Sequence, residues 1–288
     1  MDISSVHKTE DMHVGGFSQE ELDKIQNSLR QDLGIQRGLA SEFHELITLH
    51  KKNFADNLEK YRTYLEKSSE YSEIAPKVFA HESAIVDRST IFDTTKGIIV
   101  FEKDAKVLPF SYLVGPLRID EGVIVSSHSN IANSYIGKVS RVGGEIKNTV
   151  FESYSNKAHY GFLGDAYVGS WVNIGGGTTF SNVKNTYGTV KMAGKETGEQ
   201  HMGSIISDHV KTAINTSVYT GKVIGVGAHI YGTVTSDVPN FVNYYSKDNM
   251  TKIPIEITEK IIKRMMERRG VEFTDEDKKA LELIYKQL

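Results

Sequence analysis

The sequence predicts a mainly β chain, a left-handed parallel β-helix (hexapeptide-repeat solenoid), with α-helical extensions at its N-terminal and C-terminal ends. Three observations carry this. An apolar residue recurs every six positions through the middle of the chain, small residues accompany that step, and both ends show helical rather than six-residue periodicity.

Residues 1–75 read as a helical N-terminal extension. Ser18 followed by Glu21 is a capping-box pattern, and Leu22, Ile25, Leu29 and Leu33 recur at helical spacing. Further on, Phe43, Leu46, Ile47, Phe54, Leu58, Tyr61 and Leu65 form a second stripe, so residues 18–70 are expected to be helical. Charges of both signs alternate on the opposite face, which suits an amphipathic helix packed on a core or on a neighbouring subunit.

Residues 76–240 carry the repeat. Phe101, Val107, Leu113, Ile119, Val125 and Ile131 are spaced by six without a break. Ala80, Val86 and Phe92 keep the step before them, and Phe162, Val168, Ile174 and Phe180, then Ile206, Thr212, Val218, Ile224 and Ile230, keep it after. Neither a helix nor a two-sided sheet has that period, whereas a triangular coil turns once per hexad and points one side chain inward per side. Small residues follow the step in Val168-Gly169 and Ile174-Gly175, where a corner leaves little room for Cβ. Three hexads per coil stack residues 18 apart, which would place Gly177 over His159. The period breaks between Phe180 and Ile206, a polar, glycine-bearing excursion, and between Val142 and Phe162, a segment dense in reactive side chains.

Residues 241–288 read as C-terminal helices: Ile257, Ile261, Ile262 and Met265 form one run, and Thr274 with Asp277 opens another through Leu281, Ile284, Tyr285 and Leu288. The basic stretch Lys260, Lys263, Arg264, Arg268 and Arg269 suits a solvated helix face.

Composition bounds the function. With 39% hydrophobic and 25% charged residues the chain holds ample material for one elongated domain. Balanced charge, 34 basic against 37 acidic side chains, supplies no field for nucleic acid or an anionic membrane. Without cysteine there is no thiolate metal site and no cysteine nucleophile, which fits a reducing, cytoplasmic setting. The polar start MDISSVHKTEDM has no signal-peptide core, and the apolar run Ile98–Phe101 is too short to cross a bilayer.

The segment from Glu145 to Asn182 gathers Glu145, Lys147, Asn156, Lys157, His159, Asp165, Asn173 and Asn182 before and after three consecutive glycines, Gly175 to Gly177. Its run NKAHYGFLGDAYVGSWVNIGGGTTFSN resembles the hexapeptide-repeat acyltransferase superfamily. It is similar in particular to the acetyltransferase half of bifunctional glucosamine-1-phosphate acetyltransferase/N-acetylglucosamine-1-phosphate uridylyltransferase and to the C-terminal part of sugar nucleotidyltransferases. That resemblance covers roughly residues 76–240 and implies an acetyl-CoA-dependent acyltransferase acting on an amino sugar or sugar phosphate, assembled as a homotrimer. It implies His159 as general base, Lys147, Lys157, Asn173 and Asn182 as substrate-binding residues, and acetyl-CoA lying against Gly176, Gly177, Ala213 and Ile214. The chain departs from that family where Phe162 and Val183 replace tyrosines, and neither Arg118 nor Arg141 aligns with the family's phosphate-gripping arginine.

Two rivals belong beside this reading. The solenoid is shared by γ-class carbonic anhydrases, but His128, His159, His201, His209 and His229 lack the close pair that a three-imidazole zinc site needs, so no metal is expected. The alternative is a non-catalytic trimeric scaffold or regulatory remnant of a sugar nucleotidyltransferase. The first 75 residues contain no strand–Gly-loop–helix order for nucleotide binding.

Overall fold

A computed structural model describes residues 12–29, 33–36 and 40–287. The polar start through Asp11, the parts of the helical reading at 30–32 and 37–39, and Leu288 lie outside the described residues.

The middle of the chain is a left-handed parallel β-solenoid of about nine turns. Three inward columns fill it. One runs Leu113, Ile131, Ile146, Leu163, Phe180, Val218, Val234 in parallel register. A second runs Ile119, Ile136, Phe151, Val168, Ile206, Ile224. The third contains Val107, Val125, Val142 and Lys157. None of these side chains is more than 2% exposed. Each coil supplies the next with ladder hydrogen bonds and a continuous apolar interior, so neither is satisfied by a coil alone.

Three details of the repeat differ from the sequence expectation. Partners step by 15 residues from Ile131 to Ile146 and by 17 from Ile146 to Leu163 and from Leu163 to Phe180, rather than by 18. Leu163, not Phe162, therefore points inward; it is fully buried while Phe162 is half-buried against Gly164. The stretch between Val142 and Phe162 is no excursion. It continues in regular short strands at Glu145–Lys147, Val150–Phe151 and Asn156–Lys157, and looks broken in sequence because the shortened coil shifts the phase and a lysine takes an inward place. The segment between Phe180 and Ile206 does leave the coil: Asn173 bridges Lys211, 38 residues on, and a small hairpin pairs Lys191–Met192 with Lys195–Glu196.

Helix α1 spans Gln19–Leu29 and α2 Phe43–Lys67. Ser18 and Glu21 form the expected capping box, Glu21 N donating to Ser18 Oγ at 3.2 Å and Ser18 N to Glu21 Oε2 at 3.0 Å. Helix α2 lies along one solenoid face, whose outward column Val100, Arg118, Tyr135, Val150, Tyr167, Ile205, Val223 is mostly apolar. Apolar doublets such as Tyr167-Val168 and Ile205-Ile206 are what a face covered on both sides requires. The helix runs back along the solenoid. Tyr61 meets Glu102, His50 meets the Asn133 carbonyl, and Lys51 pairs with Asp165 at 3.3 Å and with Glu199 of the excursion at 3.1 Å.

Under this layer sits a buried ionic network. Arg118 Nε donates to Glu102 at 2.8 Å and its Nη2 to Glu21 at 3.1 Å, with the guanidinium carbon 4.6 Å from the Phe17 ring centroid. His13 holds Glu152 through its backbone N–H (2.9 Å) and its Nδ1 (2.6 Å), stacks on Tyr135, and places Nε2 3.3 Å from Glu21. Burial alone would keep the His13 imidazole neutral, but Glu152 and Glu21 outweigh it and raise the imidazole to about 10. His13, Glu21 and Asp120 bring ligand-type atoms within 4.8 Å of one another. Glu21 is already engaged by Arg118 and Asp120 by the Tyr135 hydroxyl, so the set serves as an ion-pair lock between the N-terminal segment and the solenoid.

At the other end, α3 (Ile255–Glu267) and α4 (Asp275–Lys286) pack Ile262, Met266 and Leu281 against Trp171, Val226 and Phe241. Thr274 and Asp277 form the expected cap. Trp171 stacks on Tyr154 at 4.3 Å and is a packing residue.

Candidate active site

The corner following Lys157 carries His159 and Tyr160, both exposed, above an open groove of about 460 Å³. Its lining brings together His159, Asn156, Asn173, Gly176, Ile214 and Asn215. Asn156 and Asn173 occupy successive rungs of one column, and Asn156 Nδ2 donates to Asn173 Oδ1 at 2.9 Å. Because that rung step is 17 residues, it is Gly176 that stacks on His159: a Cβ at Gly176 would lie 3.4 Å from His159 Cβ. Gly177 instead stacks on Tyr160, its N–H donating to the Tyr160 carbonyl at 3.0 Å. Its φ is +75°, and a Cβ there would strike Asn215 Oδ1.

The predicted residues thus divide. His159, Asn173, Gly176 and Ile214 share the groove, with Gly177 and Ala213 beside it in the chain. Asn182 belongs to a different corner, where Asn133, Asn148, Asp165 and Asn182 form a ladder. Asn148 donates to Asp165 Oδ1 at 3.0 Å and Asn182 to Oδ2 at 2.6 Å. The exposed Lys147 precedes Asn148 at that same corner. Lys157 moves furthest from its expected role. Its side chain is 1% exposed inside the coil, and its ammonium donates to the carbonyls of Gly143, His159 and Gly161, so it cannot touch a ligand in the groove. Arg118 is locked in the buried network, whereas Arg141 lies one rung from Asn156 and is exposed. Asn156, Tyr160 and Asn215 also line the groove, although the family resemblance assigns them no role. A 17-residue step would have paired Asn156 with Asn173, and a 38-residue step across the excursion sets Asn215 over Gly177.

No protein-family model matches the chain. It is 26% identical over 222 residues to a bifunctional sugar-1-phosphate nucleotidylyltransferase/acetyltransferase of Sulfurisphaera tokodaii, a match covering 73% of this chain and 53% of that protein. It is 32% identical over 173 residues to the bifunctional protein GlmU of Nostoc sp., covering 59% of this chain and 30% of that protein. The chain is a hexapeptide-repeat solenoid related to these bifunctional proteins. It spans about half the length of the first and under a third of the second. Among solved structures, a point mutant of the N-acyltransferase AntD from Bacillus cereus, in complex with dTDP-4-amino-4,6-dideoxyglucose and coenzyme A, aligns over 65% of this chain and 88% of that one. The identity is 14% and the TM-score 0.31. No described helix of this hexapeptide-repeat chain is long and apolar enough to cross a membrane.

Proposed function

We propose that the chain is an acyltransferase that moves the acetyl group of acetyl-CoA onto the amino group of a sugar or sugar phosphate. The observation that carries this reading is His159, exposed on the rim of an open groove directly over a glycine, with a paired Asn156–Asn173 wall beside it. Gly176 lines the groove without a side chain, which lets a pantetheine chain approach its backbone, while Gly175 lets the Ala213–Ile214 coil pack closely behind it. His159 takes the proton from the sugar amine as the nitrogen attacks the thioester carbonyl. The C–S bond then breaks, and coenzyme A leaves as the thiol carrying that proton, a transfer suited to imidazole as a side-chain type. Gly175 N–H is committed to Thr212 Oγ1 and Gly177 N–H to the Tyr160 carbonyl, while among the described residues the Gly176 N–H has no acceptor. It is the candidate donor to the developing oxyanion.

Lys147 and Asn182 fit the same reading if the protein is a homotrimer, with their corner of one solenoid facing the His159 groove of the next. Phe162 and Val183 offer no hydroxyl to a sugar, so the resemblance does not fix the acceptor and the hydrogen bonds to it must come from other groups. Thiol release from acetyl-CoA over a panel of amino sugars and their phosphates, run with light scattering on the same sample, tests both points. Turnover by a trimer is expected. No thiol release with any acceptor overturns the activity, and a monodisperse monomer overturns the shared site.

A further inference from the structure

Lys157 sits where the hexad rule places an aliphatic residue. Its column partner one coil earlier is Val142, and the neighbouring rung of the same face puts it beside Ile174. A lysine in such a place must satisfy three N–H donors without water. It does so with three carbonyls, Gly143 at 2.9 Å, His159 at 3.1 Å and Gly161 at 2.7 Å. Two of these flank the His159 corner from within, and the third lies on the coil below. Carbonyls turned into an apolar interior are costly unless they are bonded. The Gly161 carbonyl also accepts from Glu145 N–H at 3.2 Å, so the corner's dependence on the ammonium falls chiefly on the Gly143 and His159 carbonyls. The corner is crowded as well. Gly161 has φ +124°, with the Thr178 carbonyl where its Cβ would be, and a Cβ at Gly144 would lie 3.0 Å from the His159 carbonyl.

We propose that Lys157 is a positioning residue: its ammonium, inside the solenoid, fixes the backbone of the Lys157–Gly161 corner so that the His159 imidazole stands over Gly176 in the groove. This rests on His159 acting in the reaction proposed above. The interior continues polar under the same groove. Thr212 Oγ1 accepts from Gly175 N at 2.9 Å and contacts Thr178 Oγ1 at 3.1 Å, and Thr178 Oγ1 donates to the Ala213 carbonyl at 3.0 Å. Polar props thus stand beneath the groove at inward places, Lys157 and Thr212, that are aliphatic in most other coils. Burial draws the Lys157 ammonium down to about 8, with Glu145 opposing, so at neutral pH the three-donor form prevails.

The test compares wild type with Lys157→Met, which keeps the chain length and removes every donor, and with Lys157→Gln, which retains two. Steady-state kcat and KM for thiol release are measured beside amide hydrogen exchange over residues 158–162 and over distant coils. In Lys157→Met, kcat is expected to fall about tenfold to a hundredfold with KM unchanged, as a small misplacement of a reacting group gives. Exchange should rise at 158–162 and not in distant coils, and Lys157→Gln should fall between. If Lys157→Met does not fold, Lys157→Gln carries the comparison. Unchanged kcat in a folded variant, or exchange rising evenly along the solenoid, overturns the proposal. If wild type itself releases no thiol, the acyl-transfer reading fails, and local exchange still decides whether Lys157 holds the corner.

Discussion

Replacing His159 by alanine is expected to leave the solenoid folded and to lower acyl transfer by about a hundredfold to ten-thousandfold, the contribution of a positioned general base. The side chain is exposed and forms no part of the apolar interior, so the cost in stability should stay within about 0.5 kcal/mol. KM for acetyl-CoA should hardly move, because Gly176 and Ile214 line the groove independently of the imidazole. Thiol-release kinetics and thermal unfolding of the purified variant check this. Wild-type turnover in a folded His159→Ala protein would remove the residue from the mechanism, and a large drop in melting temperature would make it structural.

The largest effect on stability is expected from Arg118→Ala. Arg118 is 4% exposed and is the guanidinium shared by Glu21 and Glu102, so its removal leaves the buried Glu102 carboxylate without a cation and Glu21 with His13 alone, and should cost about 3–5 kcal/mol. The same network sets the pH dependence. Burial would raise the Glu21 carboxyl, but Arg118 and His13 pull it well below the usual carboxylate range. The stability it contributes is present above the unfolded value of 4.5 and is lost as pH falls through the lower folded value. His13 acts in the opposite sense: its contribution is complete below 6.5 and is lost as pH rises toward about 10. Denaturant unfolding across pH should therefore peak between roughly 4.5 and 6.5 for this network, with a shallower acid limb in Arg118→Ala. A flat profile, or a loss under 1 kcal/mol in the variant, would mean that Arg118 is not the keystone of the cluster.

These two predictions differ in how far they could be read from sequence. From Phe101 to Ile131 every inward place is aliphatic or aromatic, and the six-residue step is plain. At Lys157 a charged residue takes an inward place just after a shortened coil, and the period seems to stop where the fold does not. His159 and Asn173 were legible through their motif, whereas Lys147 and Asn182 stand at another corner because linear spacing does not tell which side of a coil a residue leaves. The His13–Glu152 lock was beyond reach, since 139 residues separate partners whose meeting depends on how the N-terminal segment drapes the finished solenoid.

Helix α2 has one more consequence. A stack of coils that touch only their nearest neighbours can fray from either end, one rung at a time. Here a 25-residue helix, about 37 Å at 1.5 Å per residue, lies along rungs about 4.8 Å apart and meets early coils near Tyr61 and later ones near Lys51. It works as a splint: a coil that opens in the middle must also lift a helix clamped to coils on both sides of it. Zipper-like melting is therefore expected to give way to one cooperative transition over the splinted coils, which would tie the stability of the His159 groove to turns far from it.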